Sequence, residues 1–146
     1  MRNFYRYPTR DAVKNYFPLP NEIFMLNLSA GEIAVYAYLL YREDRKTYRC
    51  YPSYKTIGNA IGMSRNTVKK YVDGLVEKRL IEAEPTKITT KHGRRNGNLC
   101  YTVRPIEEAI RANYDRQMAR LGEEARRQTA VRKLAEYDRK HPKKAI

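Results

Sequence analysis

The side chains best suited to chemistry gather between positions 53 and 70. Ser64, Arg65, Asn66 and Thr67 follow Gly62 and Met63, and Lys69 and Lys70 come next. An arginine fork fits guanine O6 and N7, and an asparagine amide fits adenine N6 and N7. Lys69 and Lys70 suit phosphate oxygens. Ser53, Tyr54 and Lys55 open the preceding segment and fit the same backbone-holding role. A second group, Lys91, His92, Gly93, Arg94 and Arg95, is basic and punctuated by glycine. Arginine in such a setting fits a narrow minor groove, where the negative potential is enhanced. The chemistry these residues support is recognition of double-stranded DNA.

Bond-making chemistry is poorly served. A tyrosine nucleophile for DNA cleavage needs neighbouring metal-binding histidines, and the two histidines, His92 and His141, lie far apart in the chain. No GxxxxGK[ST] phosphate loop is present. Glu107 and Glu108 fall on an expected exposed helix, and no Ser-His-Asp arrangement is suggested. Cys50 and Cys100 are too few for a four-ligand zinc site or a disulfide framework and are expected to stay reduced. The sequence therefore reads as a non-enzyme without metal or cofactor.

Bulk composition agrees. The chain has 146 residues, 42% of them hydrophobic and 32% charged, enough for one modest core within a charged surface. Its net charge of +14 implies a polyanionic partner, nucleic acid being the commonest. No apolar run of membrane-spanning length exists, and the start, MRNFYRYPTRD, lacks the apolar stretch of a signal peptide. A cytoplasmic location is expected. Thirteen tyrosines and no tryptophan is an unusual balance, with at least half of the tyrosines expected to pack.

The elements that must position these groups follow from periodicity and caps. Residues 1–20 hold Pro8, Pro18 and Pro20 and read as an extended basic arm, with Arg2, Tyr5, Arg6, Tyr7 and Arg10 able to track a phosphate backbone. Leu19, Ile23, Phe24, Leu26 and Leu28 suggest a short helical turn capped by Asn21 that feeds the core. Ser29 and Glu32 form a capping box for a helix reaching about Tyr41, with Ile33, Ala37 and Leu40 inward and Val35 and Tyr36 widening the stripe. A very short strand is expected at Tyr48–Tyr51, before Pro52.

Ser53 then caps a helix from about Tyr54 to Ile61, with Ile57, Ala60 and Ile61 inward, and Gly62 ends it in a left-handed conformation. Ser64 caps a third helix to about Lys78, where Val68, Val72 and Leu75 share one face. After Leu80 and Ile81 the period becomes two. Ile88 and Thr90 form one strand, Leu99, Tyr101 and Val103 the other, and Asn96-Gly97 is the expected tight turn between them. Residues 86–104 carry five basic side chains and no acidic one, suiting a wing on phosphates. From Pro105 a last helix is expected to about Arg139, with Ile106, Ile110, Tyr114, Met118 and Leu121 as its stripe and an interruption at Gly122. It can pack on its own domain, pair two protomers or bind another protein.

The run from Pro52 to Ile81 resembles winged helix-turn-helix domains of bacterial DNA-binding proteins. Ser53, Ile57, Gly58, Ile61, Gly62, Met63, Ser64, Thr67, Val68, Leu75, Leu80 and Ile81 fit their pattern. With the helix from Ser29, the likeness is nearest to plasmid and mobile-element replication initiators and phage replisome organisers, over about residues 17–104. It implies an α+β fold, a three-helix core plus a β-hairpin wing, and a DNA-binding role in replication initiation or transcription regulation. It also implies that the short strand pairs with the second wing strand, bringing Cys50 near Cys100. Such domains place glycine just before the Leu-Ile pair, where this chain has Arg79; a left-handed backbone there costs an arginine about 1 kcal/mol.

The expected organisation is an arm at 1–20, a winged helix-turn-helix at 21–104, and a C-terminal helix with a basic tail at 105–146. Ile33, Leu40, Ile57, Ile61, Val68, Val72 and Leu75 are the expected core. The expected partner is double-stranded DNA, gripped together by the residues near 66 and those near 94. A homodimer through the last helix and a replication or regulatory protein partner remain open. The competing reading is a protein-interaction adaptor built on the winged helix or the last helix.

Overall fold

Serine, threonine and glycine punctuation sets the helices of the core. The computed structural model describes residues 16–143, so most of the basic arm, with Arg2, Tyr5, Arg6, Tyr7 and Arg10, lies outside the described residues. A 3-10 turn, Asn21–Met25, leads into α1 (Ala30–Arg42), β1 (Arg49–Cys50), α2 (Tyr54–Ile61) and α3 (Arg65–Glu77). β2 (Ile81–Glu84), β3 (Lys87–Thr90), β4 (Gly93–Asn96) and β5 (Cys100–Val103) follow, then α4 (Ile106–Lys140).

The 3-10 turn differs from expectation. Its cap position is Pro20, with no side-chain cap bond, so Asn21 does not cap it. Ile23 and Leu26 enter the core, while Phe24 faces outward at 74% exposure because the tighter winding turns it away.

Each of the three core helices starts on a serine. In α1 the capping box is complete: the Ser29 hydroxyl accepts the Glu32 N–H, and Glu32 accepts the Ser29 N–H. The buried face is Glu32, Val35, Tyr36, Leu39 and Leu40, a regular i, i+3, i+4, i+7, i+8 stripe. Ile33 and Ala37 are only half-buried. The expected stripe was out of phase because one of its true members is charged. Ser53 and Ser64 cap α2 and α3 in the same way, accepting the N–H of Thr56 and Thr67.

Gly62 ends α2 in the left-handed region, at φ 72°, and Gly58 packs so closely that an added Cβ would meet the Met63 carbonyl. The helix-turn-helix angle therefore rests on two backbones in contact. Ile57 is buried and Ile61 half-buried, but Ala60 is exposed. Val68, Val72 and Leu75 are all buried on α3. α3 ends as a Schellman motif: the Leu80 N–H bonds the Leu75 carbonyl and the Arg79 N–H that of Val76, with Leu75 and Leu80 both in the core. Arg79 takes the glycine position, at φ 61°.

The sheet order is β1-β5-β2, all antiparallel. β5 lies between the other two, with Arg49 opposite Thr102 and Ile81 opposite Val103. Cys50 lies opposite Tyr101, so these two share a face and Cys100 points to the other. The cysteines are therefore on adjoining strands but not side by side; both are free and buried.

β3 and β4 form a separate two-stranded hairpin beyond this sheet. Its reversal is at Lys91-His92, with Gly93 at φ 109°, and not at Asn96-Gly97. Asn96 instead pairs with Lys87, and the Gly97 N–H bonds the Thr86 carbonyl at 2.8 Å. Gly97 has no side chain because Thr86 and Ile88 cross over it: a Cβ there would lie 2.6 Å from Thr86 Oγ1. The glycine marks a close strand approach and not a reversal.

α4 is continuous through Gly122, contrary to the expected interruption. It docks by Ala109 and Asn113, its only buried residues, while Ile106 is half-buried. Asn113 accepts from the Asn27 side chain at 3.3 Å and donates to the Met25 carbonyl at 3.4 Å. Ile110, Tyr114, Met118 and Leu121 are exposed. The expected stripe therefore does not pack on its own domain; a polar residue, Asn113, sets the docked face.

Among described tyrosines, Tyr36 and Tyr101 are buried and Tyr38, Tyr54 and Tyr71 half-buried. Tyr16, Tyr41, Tyr48, Tyr51, Tyr114 and Tyr137 are exposed. Five of the eleven described tyrosines are thus at least half-buried, and Tyr5 and Tyr7 lie outside the described residues.

Candidate nucleic-acid interface

The amino end of α3 presents Arg65, Asn66, Lys69 and Lys70 to solvent, with Thr67 half-buried. Burying Val68, Val72 and Leu75 forces the intervening polar residues outward. Ser64 is engaged as the cap: its hydroxyl lies 2.8 Å from Thr67 Oγ1 and accepts the Thr67 N–H at 3.2 Å. Lys70 Nζ sits 5.9 Å from the centre of the Tyr71 ring. Asp73, and Glu77 at the far end of the helix, are the exposed acids of α3.

At the start of α2, Ser53 repeats the Ser64 arrangement, with its hydroxyl 2.9 Å from Thr56 Oγ1. Lys55 is exposed. Tyr54 is half-buried, and its phenol is pushed up by burial first and then by the charge of Asp73, with Tyr101 beside it. Tyr54 thus joins α2 to the sheet as well as bordering the surface.

The wing carries Lys87, Lys91, Arg94 and Arg95, all exposed. Arg94 and Arg95 lie within β4 and not in the reversal. Thr89 is opposite Arg94 and Ile88 opposite Arg95, so the two arginines point to opposite faces of the hairpin. Arg94 shares its face with Lys87, which the sequence reading left out of the site. Strict alternation along Lys87–Thr90 was the signal available for it.

The wing root is fixed to the helix-turn-helix. Asn98 Nδ2 donates to the Tyr51 carbonyl at 3.1 Å, and Thr86 Oγ1 donates to the Asn98 carbonyl. A small cleft runs between Pro52, Ser53 and Tyr54 on one side and Gly97, Asn98, Leu99 and Tyr101 on the other. The base of the wing and the amino end of α2 therefore form one continuous surface.

Arg65, Lys69, Lys70, Lys91, Arg94 and Arg95 take part in no ion pair among the described residues, where the pairs are Lys78–Glu32, Arg104–Glu82, Arg104–Glu108 and Lys140–Glu136. Among the described residues no cluster of His, Cys, Asp and Glu could hold a metal ion, and no helix is long and apolar enough to cross a membrane.

Residues 26–81 match the model of a helix-turn-helix domain. No curated protein matches the chain. Among solved structures, a possible transcriptional regulator from Methanosarcina mazei Go1 is similar at 20% identity, over 70% of this chain and 80% of that one, with a TM-score of 0.47. A MarR family transcription regulator is similar at 18% identity, over 84% and 79%, with a TM-score of 0.40. A protein from Mycobacterium tuberculosis is similar at 16% identity, over 82% and 78%, with a TM-score of 0.37. The matched helix-turn-helix runs from the start of the core to the first residue of β2, and with the hairpin that follows it the domain is a winged helix-turn-helix.

Proposed function

We propose that this domain binds double-stranded DNA, with α3 in the major groove and the β3–β4 hairpin on adjoining backbone. The observation that carries the reading is the set of exposed cations on α3 and the wing that no carboxylate neutralises. Unpaired surface charge of one sign favours a polyanion and gives steep salt dependence. Arg65 and Asn66 supply base preference and Lys69, Lys70, Lys91 and Arg94 hold phosphates. Arg95, on the opposite hairpin face, reaches a different strand or the minor groove.

The test is selection of bound duplexes from a random pool, followed by anisotropy titration. Arg65→Ala or Asn66→Ala should cost about 1–3 kcal/mol against the selected site and relax preference at one position. Lys69→Ala should weaken all duplexes alike and lower the salt slope by about one. Absence of any enriched sequence, together with binding that ignores salt, would rule the reading out.

On the likeness of residues 53–81 described above, we assign the module to replication initiation or transcription regulation on a bacterial mobile element, acting in the cytoplasm. For α4 we propose a second copy of this chain as partner. Ile110, Tyr114, Met118 and Leu121 are exposed on a 35-residue helix that docks by only its first turns. Helices within proteins draw most of their stability from tertiary packing, and this one has no buried residue beyond Asn113. Sedimentation equilibrium should show a dimer that Tyr114→Asp with Leu121→Asp converts to monomer. A palindromic selected site should accompany the dimer; a monomer with an asymmetric site overturns it.

A further inference from the structure

A second surface, on the far side of α1, is built for a different ligand. The buried stripe of α1 centres on Glu32, Val35, Tyr36 and Leu39 and faces the rest of the core. Tyr41 falls diametrically opposite that stripe on the helical wheel, with Tyr38 beside it. Tyr41 is 63% exposed. Its ring centre lies 5.9 Å from that of Phe17 and 6.0 Å from that of Tyr38. Arg42 closes the series: its guanidinium sits 6.0 Å over the Tyr38 ring, and its Nη1 donates to the Tyr38 hydroxyl at 3.4 Å. Three rings and a planar cation thus form one connected series, in which Tyr38 rests on the core, Arg42 lies over it, and Phe17 and Tyr41 stand toward solvent.

Charge says what this strip would take. Arg42, Arg45, Lys46 and Arg49 are all exposed at its end. Of the two acids between them, Asp44 is exposed but engaged locally, and Glu43 is half-buried. Asp44 accepts the Lys46 N–H at 2.7 Å, and one carboxylate oxygen of Glu43 is buried. The exposed rings of Phe17 and Tyr41, backed by Tyr38 and bordered by cations in no ion pair among the described residues, match the two needs of an unpaired nucleic-acid strand: an aromatic surface for a base and a cation for the backbone. Duplex DNA offers no free base faces, so this strip is poorly matched to it.

We propose that Phe17, Tyr38, Tyr41 and Arg42 form a stacking platform for single-stranded nucleic acid, separate from the α3 and wing surface. The domain would then hold duplex on one side and an unpaired strand on the other. This inference does not depend on the duplex-binding reading, because the two sets share no residue and stand on different elements.

The test is fluorescence anisotropy of the full chain with a labelled 20-nucleotide oligo-dT, beside the same titration with a duplex. Tyr41→Ala together with Arg42→Ala should weaken oligo-dT binding at least tenfold, the scale set by losing a stacked base. Duplex binding should stay within about twofold, and circular dichroism should be unchanged because both positions are exposed. Tyr41→Phe, which keeps the ring, should restore oligo-dT binding. Arg65→Ala with Asn66→Ala should show the reverse pattern. Equal loss for both ligands overturns the proposal, as does oligo-dT binding insensitive to Tyr41. Preferential binding of a proline-rich peptide over oligo-dT also overturns it, by making the strip a peptide groove.

Discussion

Removing the carboxylate of Glu32 should lower stability more than its place in an exposed first turn suggests. Glu32 does two jobs with one oxygen. Its Oε1 accepts the Ser29 N–H at 3.1 Å, completing the cap of α1, and accepts from Lys78 Nζ at 2.9 Å, tying α1 to the end of α3. The residue is 6% exposed, and Oε2 has no partner. Burial works to raise its pKa, but the Lys78 bond, the Ser29 bonds and the Lys78 charge together bring it below the ordinary 4.5. The pair is therefore net favourable to the charged form.

The cap bond contributes about 0.5–1 kcal/mol. Breaking a fully buried pair costs about 3–5 kcal/mol, but the Lys78 side chain is 25% exposed and keeps the Asn27 carbonyl at 3.1 Å. Its ammonium can rehydrate, so the pair is expected to contribute about 1–2 kcal/mol. Glu32→Ala should thus cost about 1.5–3 kcal/mol, or roughly 5–10 °C in Tm for a domain of this size. Glu32→Gln keeps an acceptor for the Ser29 N–H and should lose about 1–2 kcal/mol. Urea unfolding followed by circular dichroism, with Lys78→Met closing a double-mutant cycle, measures the coupling directly.

The pH dependence has a definite sign. A carboxyl whose folded pKa is depressed contributes fully above its unfolded value, and that contribution fades as pH falls through the folded one. The gap between wild type and Glu32→Gln should hold from neutrality down to about pH 4.5 and close below it. A coupling energy under about 0.3 kcal/mol, or a gap that does not change with pH, would refute the reasoning.

Other outcomes follow from single contacts. Gly58→Ala forces a Cβ into the Met63 carbonyl, which is backbone and cannot swing away; the variant should lose about 2 kcal/mol or more by urea melt and weaken duplex binding, since the α2–α3 angle must open. Arg79→Gly relieves a left-handed arginine at φ 61°, but glycine costs unfolded-state entropy, so a net gain of about 0.5 kcal/mol is expected in the same assay. Cys50, whose thiol is pushed up to about 11 by burial first and then by Glu43, should label slowly with iodoacetamide at pH 8 in the folded state and rapidly in urea.

The helix-turn-helix was legible because its signals are local. Ser53, Gly62 and Ser64 each satisfy backbone groups within four residues, so a short window of sequence holds the whole cause. The starts of α2 and α3 and the pairing of β1 with β5 match expectation for that reason and from the likeness stated above. The misreadings have the opposite character. Gly97 looked like a turn because its neighbour is Asn96, but its cause is Thr86 and Ile88 on another strand. Glu32 and Asn113 look like surface residues, yet each sets which face of its helix is buried, through partners at Lys78, Asn27 and Met25. Polar residues that dock a helix carry no hydrophobic signal, so the phase of α1 and α4 was unreadable from periodicity. In the wing, the basic count was right but the geometry was not, because adjacent arginines were read as one tip when the alternation of a strand separates them.

That separation bears on how the wing can act. A hairpin with both arginines on one face would lie flat on a single strand of backbone. Here Arg94 and Lys87 occupy one face and Arg95 the other, while the reversal holds Lys91 and His92. Such a hairpin can touch charge on both sides only where two phosphate walls flank it, and a narrow minor groove has that shape. The hairpin is joined to the core through Thr86 and Asn98. Arg104, which bonds Glu108 of α4 at 2.6 Å and lies 3.5 Å from Glu82 of β2, sits at the opposite end of the β2–β5 ladder, where its N–H bonds the Leu80 carbonyl at 3.0 Å. Arg104 thereby links the end of the ladder away from the wing to the first turn of α4. The wing and α4 are therefore expected to act separately: Arg104→Met, which removes a partly exposed ion pair distant from the wing root, should leave duplex affinity by anisotropy within about twofold, and a tenfold loss would refute this geometry.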